Sequence, residues 1–477
     1  MSIPIAPAAT ICITIPEPSL RSLARYGFDE AAVRMGLPLR LIENELIEGA
    51  IVYGPVPPSW RGGVLPYDRR CYDATARFAA LGSPPLWAPE GTDINNVDPV
   101  GGLTRLLTLT DETQVDEQSR NGHGIFPMAA LPAPRASVHA APLVEHHVAA
   151  LRRLLQHLTP GLPPAAHPLW PAGRRYAVVV THDTDAVALG APLEILFNAV
   201  KAALRSDAVR ARMAWEGLTL KGDDPLFGFG TWADTERAAN LRSAFFVFGR
   251  GKVRPELNDC RSSIFRRRVD WALLRSLADE GWEFGLHPPI RAKYDIDEFI
   301  WGKEALEERL RRPIYGLRHH YWALDWRQPH LTFRKHVNAG FRYDCSIAWR
   351  DDAGFRAGTC LPYRPFDPER GRALDIYELP TAVMDSHVIS DSGDIEMAVR
   401  RALCLAEEVR RVGGMLTLDW HTEASVDDYC YRNLRTALVG IVLVLRADSE
   451  AWFATPWEVT RHWHQRRQSL FPEEGLR

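Results

Sequence analysis

The chain has 477 residues, of which 46% are hydrophobic and 25% charged, with a net charge of −3. That is the composition of a water-soluble globular protein long enough for two domains. The charge balance argues against a general nucleic-acid binder, which carries a strong basic surplus. No apolar run reaches the roughly 20 residues of a membrane-spanning helix, so membrane insertion is not expected.

The seven cysteines are odd in number and form no CxxC pair. They suggest neither a disulfide framework nor a zinc ribbon, and suit a reducing compartment. Residues 1–5 lack a basic n-region, and the apolar stretch after them is broken by prolines, so a cytoplasmic location is expected. Fifteen tryptophans serve either core packing or the stacking of sugar rings.

Residues 1–158 read as an N-terminal α/β accessory domain, rich in Pro and Gly with short apolar runs. Leu103–Thr110 reads as a helix end or a strand, and Asn121–Gly124 as a loop. Residues 143–158 have apolar positions at helical spacing. The adjacent His146 and His147 point to different faces of that helix and read as solvated. The proline-rich stretch 159–174 is a semi-rigid linker.

From residue 175 strand-like and helical segments alternate. Expected strands are 175–182, 243–248, 282–287, 314–320, 341–344, 376–380 and 415–421. Expected helices are 231–241, 269–280, 296–312, 329–339 and 395–412. Gly281 and Gly340 stop two of these helices directly before strands. Repeated helix–Gly–strand units predict a parallel sheet, and about seven of them predict a closed or nearly closed (β/α) barrel over 175–477. The apolar stretch 435–446 is expected to be a buried helix. Arg266–Arg268 and Arg410–Arg411 read as solvated helix faces.

Polar groups recur at the predicted strand ends. The run Arg175–Val180 stops at Asp183 and Asp185, which point to one side of a strand of period two. Taken alone, the pair reads equally as a strand-ending Asx turn or as a site. His287, Arg318, His319, His320, Asp344, Ser346, Asp385 and His421 end later strands. In a barrel these converge on the mouth at the carboxyl ends of the strands, where such folds place their chemistry. Imidazoles and carboxylates gathered there are what a metal hydrolase needs. Asp419 lies on the same strand face as His421. It reads either as the group that orients the imidazole or as a strand-end acid facing solvent or a basic neighbour.

In this order the motifs resemble the polysaccharide deacetylase (NodB-homology) family, a carbohydrate-esterase group with a distorted (β/α)7-type barrel. The resemblance covers residues 175–465. Thr181-His182-Asp183-Thr184-Asp185 is similar to its first motif, and implies Asp183 as catalytic base and Asp185 as metal ligand. Gly285-Leu286-His287-Pro288-Pro289 is similar to the second, and implies His287 as a ligand. Gly316-Leu317-Arg318-His319-His320-Tyr321 implies Arg318 as the residue that orients the base. Gly340–Ser346 resembles the fourth-motif region. Leu416–His421 resembles the last motif, and implies His421 as general acid. Asp223-Asp224-Pro225 and Trp452–Val459 resemble the longer, two-domain members.

One departure stands out. The family's second histidine, four residues after the first, is here Arg291, and a guanidinium cannot ligate a metal. His320, at the end of the adjacent strand, is the expected third ligand, with His319 facing away. Tyr321, Trp420 and Arg291 are the expected substrate contacts; Trp322 and Trp326 are further candidates for stacking.

The resemblance implies a divalent cofactor, expected to be zinc, and removal of an N-acetyl group from an amino sugar or oligosaccharide. Carbohydrate is then the expected substrate and polysaccharide-assembly proteins the expected partners. Two alternatives stay open. One is hydrolysis of a non-sugar amide or cyclic imide, with Arg291 suiting an anionic substrate. The other is a degenerate, glycan-binding or scaffolding protein.

Overall fold

The computed structural model describes residues 7–133, 135–165, 168–249, 269–388 and 394–471. Arg266–Arg268 lie outside them.

The N-terminal residues build a parallel sheet from β1 (Ala9–Ile13), β2 (Leu39–Glu43), β3 (Ile51–Tyr53) and β4 (Val64–Leu65), in the order β2-β1-β3-β4. Ile11, Cys12 and Ile13 are all buried, as expected of a strand covered on both faces. The crossover helix Pro18–Met35 starts on proline and stops at Gly36, whose φ of 65° is left-handed. β5 (Phe78–Leu81) and β6 (Leu86–Pro89) form an antiparallel hairpin. Residues 103–107 belong to the helix Pro99–Leu107, which Asp98 caps by accepting from the backbone N–H groups of Val100 and Gly101.

The helix Leu143–Leu158 forms as the periodicity predicts, but His146 and His147 are buried and not solvated. His147 Nε2 accepts the Trp87 backbone N–H at 2.9 Å, and burial pushes its pKa down to about 3. His146 Nδ1 lies 3.0 Å from the Pro85 carbonyl oxygen. Both rings seal the helix against the β5–β6 hairpin, a contact that helix periodicity alone does not reveal.

The second sheet contains β7 (Tyr176–Asp183), β8 (Ala244–Phe248), β9 (Glu283–His287), β10 (Gly316–Leu317), β11 (Tyr343–Asp344), β14 (Tyr377–Glu378), β15 (Val383–Met384), β16 (Met415–Asp419) and β17 (Ala451–Phe453). A short antiparallel ribbon, β12 (Phe366–Asp367) with β13 (Arg372–Ala373), interrupts the run. The hydrogen-bonded path is β14-β11-β10-β9-β8-β7-β16-β15, and its pairings are parallel. β17 pairs with the first half of β7, and β8 with the second half.

The ends of the path are joined by the chain itself. β14 pairs with β11, β15 pairs with β16, and only residues 379–382 separate them. Leu379 N–H donates to Asp344 O at 2.8 Å, and Ala382 N–H to Thr417 O at 3.2 Å. β14 and β15 thus share one barrel position, giving seven positions in a distorted (β/α) barrel. The expected strand 314–320 shrinks to two residues because the backbone turns away after Arg318.

Two glycines end helices and a third lets two strands pack. Gly281 (φ 104°) and Gly340 (φ 80°) end helices in left-handed geometry. At Gly316 an added Cβ would lie 1.8 Å from the Tyr343 ring on the neighbouring strand. Gly316→Ala should therefore destabilise the fold by about 2–3 kcal/mol, the usual cost of overpacking a core. Denaturant unfolding measures it, and a loss below about 0.5 kcal/mol would show that the ring moves aside freely.

The helix Leu434–Ala447 buries Ala437, Leu438, Ile441, Val442 and Leu445 but exposes Leu443 and Val444, so it is one-sided and not wholly buried. Arg410 pairs with Glu450 at the exposed end of the helix Ile395–Val412.

The N-terminal sheet and the barrel share one hydrophobic cluster, which includes Ile11, Phe28, Leu106, Val180, Phe245 and Leu418. Polar ties reinforce it: Arg135 donates to Arg356 O at 2.7 Å, and Arg466 to Val33 O at 2.9 Å. Near the carboxyl ends of the strands, Asp351 accepts from Met128 N–H and Lys293 donates to His123 O. N-terminal residues thus reach the side of the barrel that carries the polar strand ends.

Candidate functional site

β7 delivers the first two acids. Its alternation sends His182 to the opposite face, where Nδ1 donates to Trp420 O (2.8 Å) and Nε2 meets Glu236 (2.7 Å). This buried pair anchors the strand from behind. Asp183 ends the strand, and Asp185 sits in the loop directly after it.

Arg318, at the end of β10, lies wholly buried beneath the site. It donates to Asp183 Oδ1 at 3.0 Å, Thr181 Oγ1 at 2.8 Å, Cys345 O at 3.1 Å and Thr381 Oγ1 at 3.1 Å. Asp419 Oδ1 lies 2.8 Å from the same guanidinium. A planar, permanently charged fork is suited to hold several oxygens in fixed directions.

His287 ends β9. Its Nδ1 faces the Arg318 carbonyl oxygen at 2.7 Å. A carbonyl only accepts, so Nδ1 carries the proton and a neutral ring has its lone pair on Nε2. That Nε2 lies 3.1 Å from Asp185 Oδ1. His320 Nε2 lies 3.1 Å from Asp185 Oδ2. Tyr321 and Trp322 place His320 there: both adopt positive φ, 56° and 49°. Two consecutive non-glycine residues in left-handed geometry are costly, and such strain clusters at functional sites.

Asp185, His287 and His320 each offer one ligand atom, and the three atoms lie within 4.8 Å of one another. Two imidazoles and a carboxylate suit a divalent ion, with the His287 tautomer fixed from the second nitrogen. Burial pushes the Asp185 carboxyl up, but His320 and His287 outweigh it and hold the group well below the usual carboxylate range. A second group with ligand-like spacing is His330, Asp367 and Glu369. There Arg334 already bridges the two carboxylates at 2.9 and 2.8 Å.

His421 follows β16. Its Nδ1 donates to Asp385 at 3.0 Å, and Asp385 also accepts the His421 backbone N–H at 2.9 Å. Its Nε2 lies 3.6 Å from Asp185. Burial lowers the His421 pKa, but Asp385 outweighs it and raises the group well above the ordinary histidine value. Asp385, the first residue of the short helix Asp385–Val388 directly after β15, is therefore the partner of His421. Asp419 does not orient that imidazole, because its carboxylate is turned to Arg318. Burial raises Asp419 well above its ordinary pKa; Arg318 opposes this and Asp183 adds to it.

Glu423 is a further acid that strand-end reasoning missed. It is buried, and burial raises its pKa to about 8, with His421 opposing and Asp185 reinforcing. Its only sequence signal is its position two residues after His421.

The structure thus brings together Asp183, Asp185, His287, Arg318, His320 and His421. Tyr321 is exposed beside His320, with ring centroids 4.4 Å apart. Arg291 is exposed on the turn Ile290–Tyr294, which follows β9. Trp420 does not join them. It is fully buried and its indole N–H donates to Leu434 O at 2.9 Å, so it cannot stack on a substrate. Trp322 and Trp326 are also buried. His319 turns away from the site to His336, with the Nε2 atoms 2.9 Å apart. Asp344 and Ser346 are buried against His336 and the His319 backbone N–H, respectively.

The chain is distantly similar to several solved structures. One, from Mycobacterium smegmatis and provisionally named a polysaccharide deacetylase, shares 21% identity, with 65% of this chain and 96% of that one covered and a TM-score of 0.42. A probable polysaccharide deacetylase from Pseudomonas aeruginosa PAO1 shares 18% identity over 64% of this chain and 95% of that one, with a TM-score of 0.41. The allantoinase PuuE shares 17% identity over 64% and 95%, with a TM-score of 0.42. No family model and no curated protein matches the chain.

Proposed function

We propose that the protein is a metal-dependent amide hydrolase of the carbohydrate deacetylase type. One observation carries this reading. Asp185, His287 and His320 converge on one point, with an Arg318-held carboxylate on one side and an Asp385-held imidazole on the other.

Asp185, His287 and His320 would hold the ion, with zinc suited to the two imidazoles. A bound divalent ion would polarise the amide carbonyl and make water more acidic. Asp183 takes a proton from the attacking water, and Arg318, donating to it at 3.0 Å, keeps it aimed. His421, protonated and oriented by Asp385, donates its Nε2 proton to the leaving nitrogen. For an N-acetylated amino sugar, the products are acetate and the free amine. Tyr321 is suited to flank a sugar ring.

A second reading, hydrolysis of a non-sugar amide or cyclic imide, is supported by Arg291. This exposed cation, on the turn after His287, suits an anionic substrate.

Two measurements test the proposal. Purified protein should hold about one equivalent of divalent metal, or take it up from added zinc. It should release acetate from N-acetylated oligosaccharides. Failure to hold metal would refute both readings. Metal binding without acetate release, but with turnover of a cyclic imide, would select the second.

A further inference from the structure

The helices Pro192–Arg205 and Ala208–Thr219 form a hairpin whose first helix is built inside out, while the second buries Met213, Ala214 and Gly217. On the first helix the buried side chains are Glu194 and Asn198, 1% and 0% exposed. Asn198 is tied to Glu194 at 2.9 Å and to Arg210 of the second helix at 2.8 Å. The outer face carries Leu193, Leu196, Val200 and Leu204 at helical spacing, and Leu196 and Leu204 are 56% and 78% exposed. The second helix exposes Trp215 and Leu218, 67% and 66%. A helix normally turns its apolar stripe to the core. An apolar stripe held outward by a polar seam marks a contact surface.

The charge pattern indicates what covers it. Residues 192–221 hold five lysines and arginines against three acids, a surplus of two on a chain of net charge −3. The acids are engaged within the fold. Glu194 is buried, Asp207 caps the second helix, and Glu216 accepts from the Tyr429 hydroxyl. Two of the cations are paired as well, Arg210 with Asp207 and Arg212 with Asp428, so the outward charge is carried by Lys201, Arg205 and Lys221. A two-fold contact with another copy would set this surplus against itself. An anionic bilayer surface would complement it, with leucines and a tryptophan entering the headgroup boundary and cations above them. The hairpin is also seated beside the site. It follows the loop after Asp185, and Ala186 and Leu189 pack in one cluster with Met213 of the second helix and Val426, five residues after His421.

We propose that this hairpin docks the protein on an anionic membrane surface, without spanning it, and so brings the mouth of the barrel to the bilayer. This docking does not depend on the proposed chemistry.

The test is flotation of the full-length protein with vesicles of equal parts phosphatidylcholine and phosphatidylglycerol, compared with phosphatidylcholine alone. Wild type should float with the anionic vesicles. Leu196→Gln/Leu204→Gln, at exposed positions, should keep its circular dichroism and lose binding by roughly tenfold or more. Lys201→Glu/Arg205→Glu should lose the preference for phosphatidylglycerol. No flotation of wild type, or flotation unaffected by the leucine pair, would overturn the proposal. So would a dimer in size-exclusion chromatography that the leucine pair converts to monomer, since the stripe would then belong to a second copy.

Discussion

Asp183→Asn should leave the protein folded, retain its metal and lower turnover by about a thousandfold, within the range for loss of a positioned general base. The asparagine keeps the shape of the side chain and an oxygen that accepts from Arg318 at the position now 3.0 Å away. Asp419, 2.8 Å from the same guanidinium, still supplies a counter-charge, so the buried cation is not left unpaired. What disappears is the basicity. Asp185→Asn should behave differently. It removes the carboxylate that both His287 and His320 face at 3.1 Å. Metal content should then fall along with turnover. Metal analysis and single-turnover kinetics on the two variants separate the roles. Asp183→Asn with wild-type turnover would rule Asp183 out as the base. Asp185→Asn with full metal content would rule out the ligand set.

The six polar groups that meet were legible because each lies at or just beyond the carboxyl end of a parallel strand, and the strands are marked by dense apolar runs and glycine stops. The rest depends on contacts between elements distant in sequence. Asp385 reaches His421 only because residues 377–384 cross from β11 to β16, and no periodicity in that stretch announces the crossing. Proximity in sequence favoured Asp419 instead, but Arg318 arrives from β10 and captures it. Trp420 and His421 are consecutive just past the end of β16, and the imidazole reaches the mouth while the indole is buried in the core. His320 is held by the left-handed pair Tyr321 and Trp322, side chains that rarely adopt that geometry. The first helix of the hairpin after Asp185 is inverted. None of the expected elements covered it, and Glu194 and Asn198 take its interior, with Asn198 donating to Glu194 and accepting from Arg210.

Arg318→Met should destabilise the fold by about 3–5 kcal/mol, the cost of removing one partner from a buried charge cluster. The loss should grow with pH. In the native protein burial raises Asp419 well above the ordinary carboxylate pKa, Arg318 opposes the rise, and Asp183 adds to it. Methionine removes the opposing charge, so the folded-state pKa rises further, while the unfolded value stays at about 3.9. Between those two values the folded state binds more protons than the unfolded one. Stability contributed below the unfolded pKa is therefore lost as pH climbs toward the folded one. Denaturant unfolding at about pH 5 and about pH 8 should thus give a larger penalty at the higher pH. Adding Asp419→Asn to Arg318→Met should recover part of the loss and flatten the pH dependence, because the group that titrates is gone. A penalty equal at both pH values, or unchanged in the double variant, would mean that Arg318 acts through packing against Phe246, whose ring centroid lies 4.6 Å from the guanidinium carbon, and not through its charge.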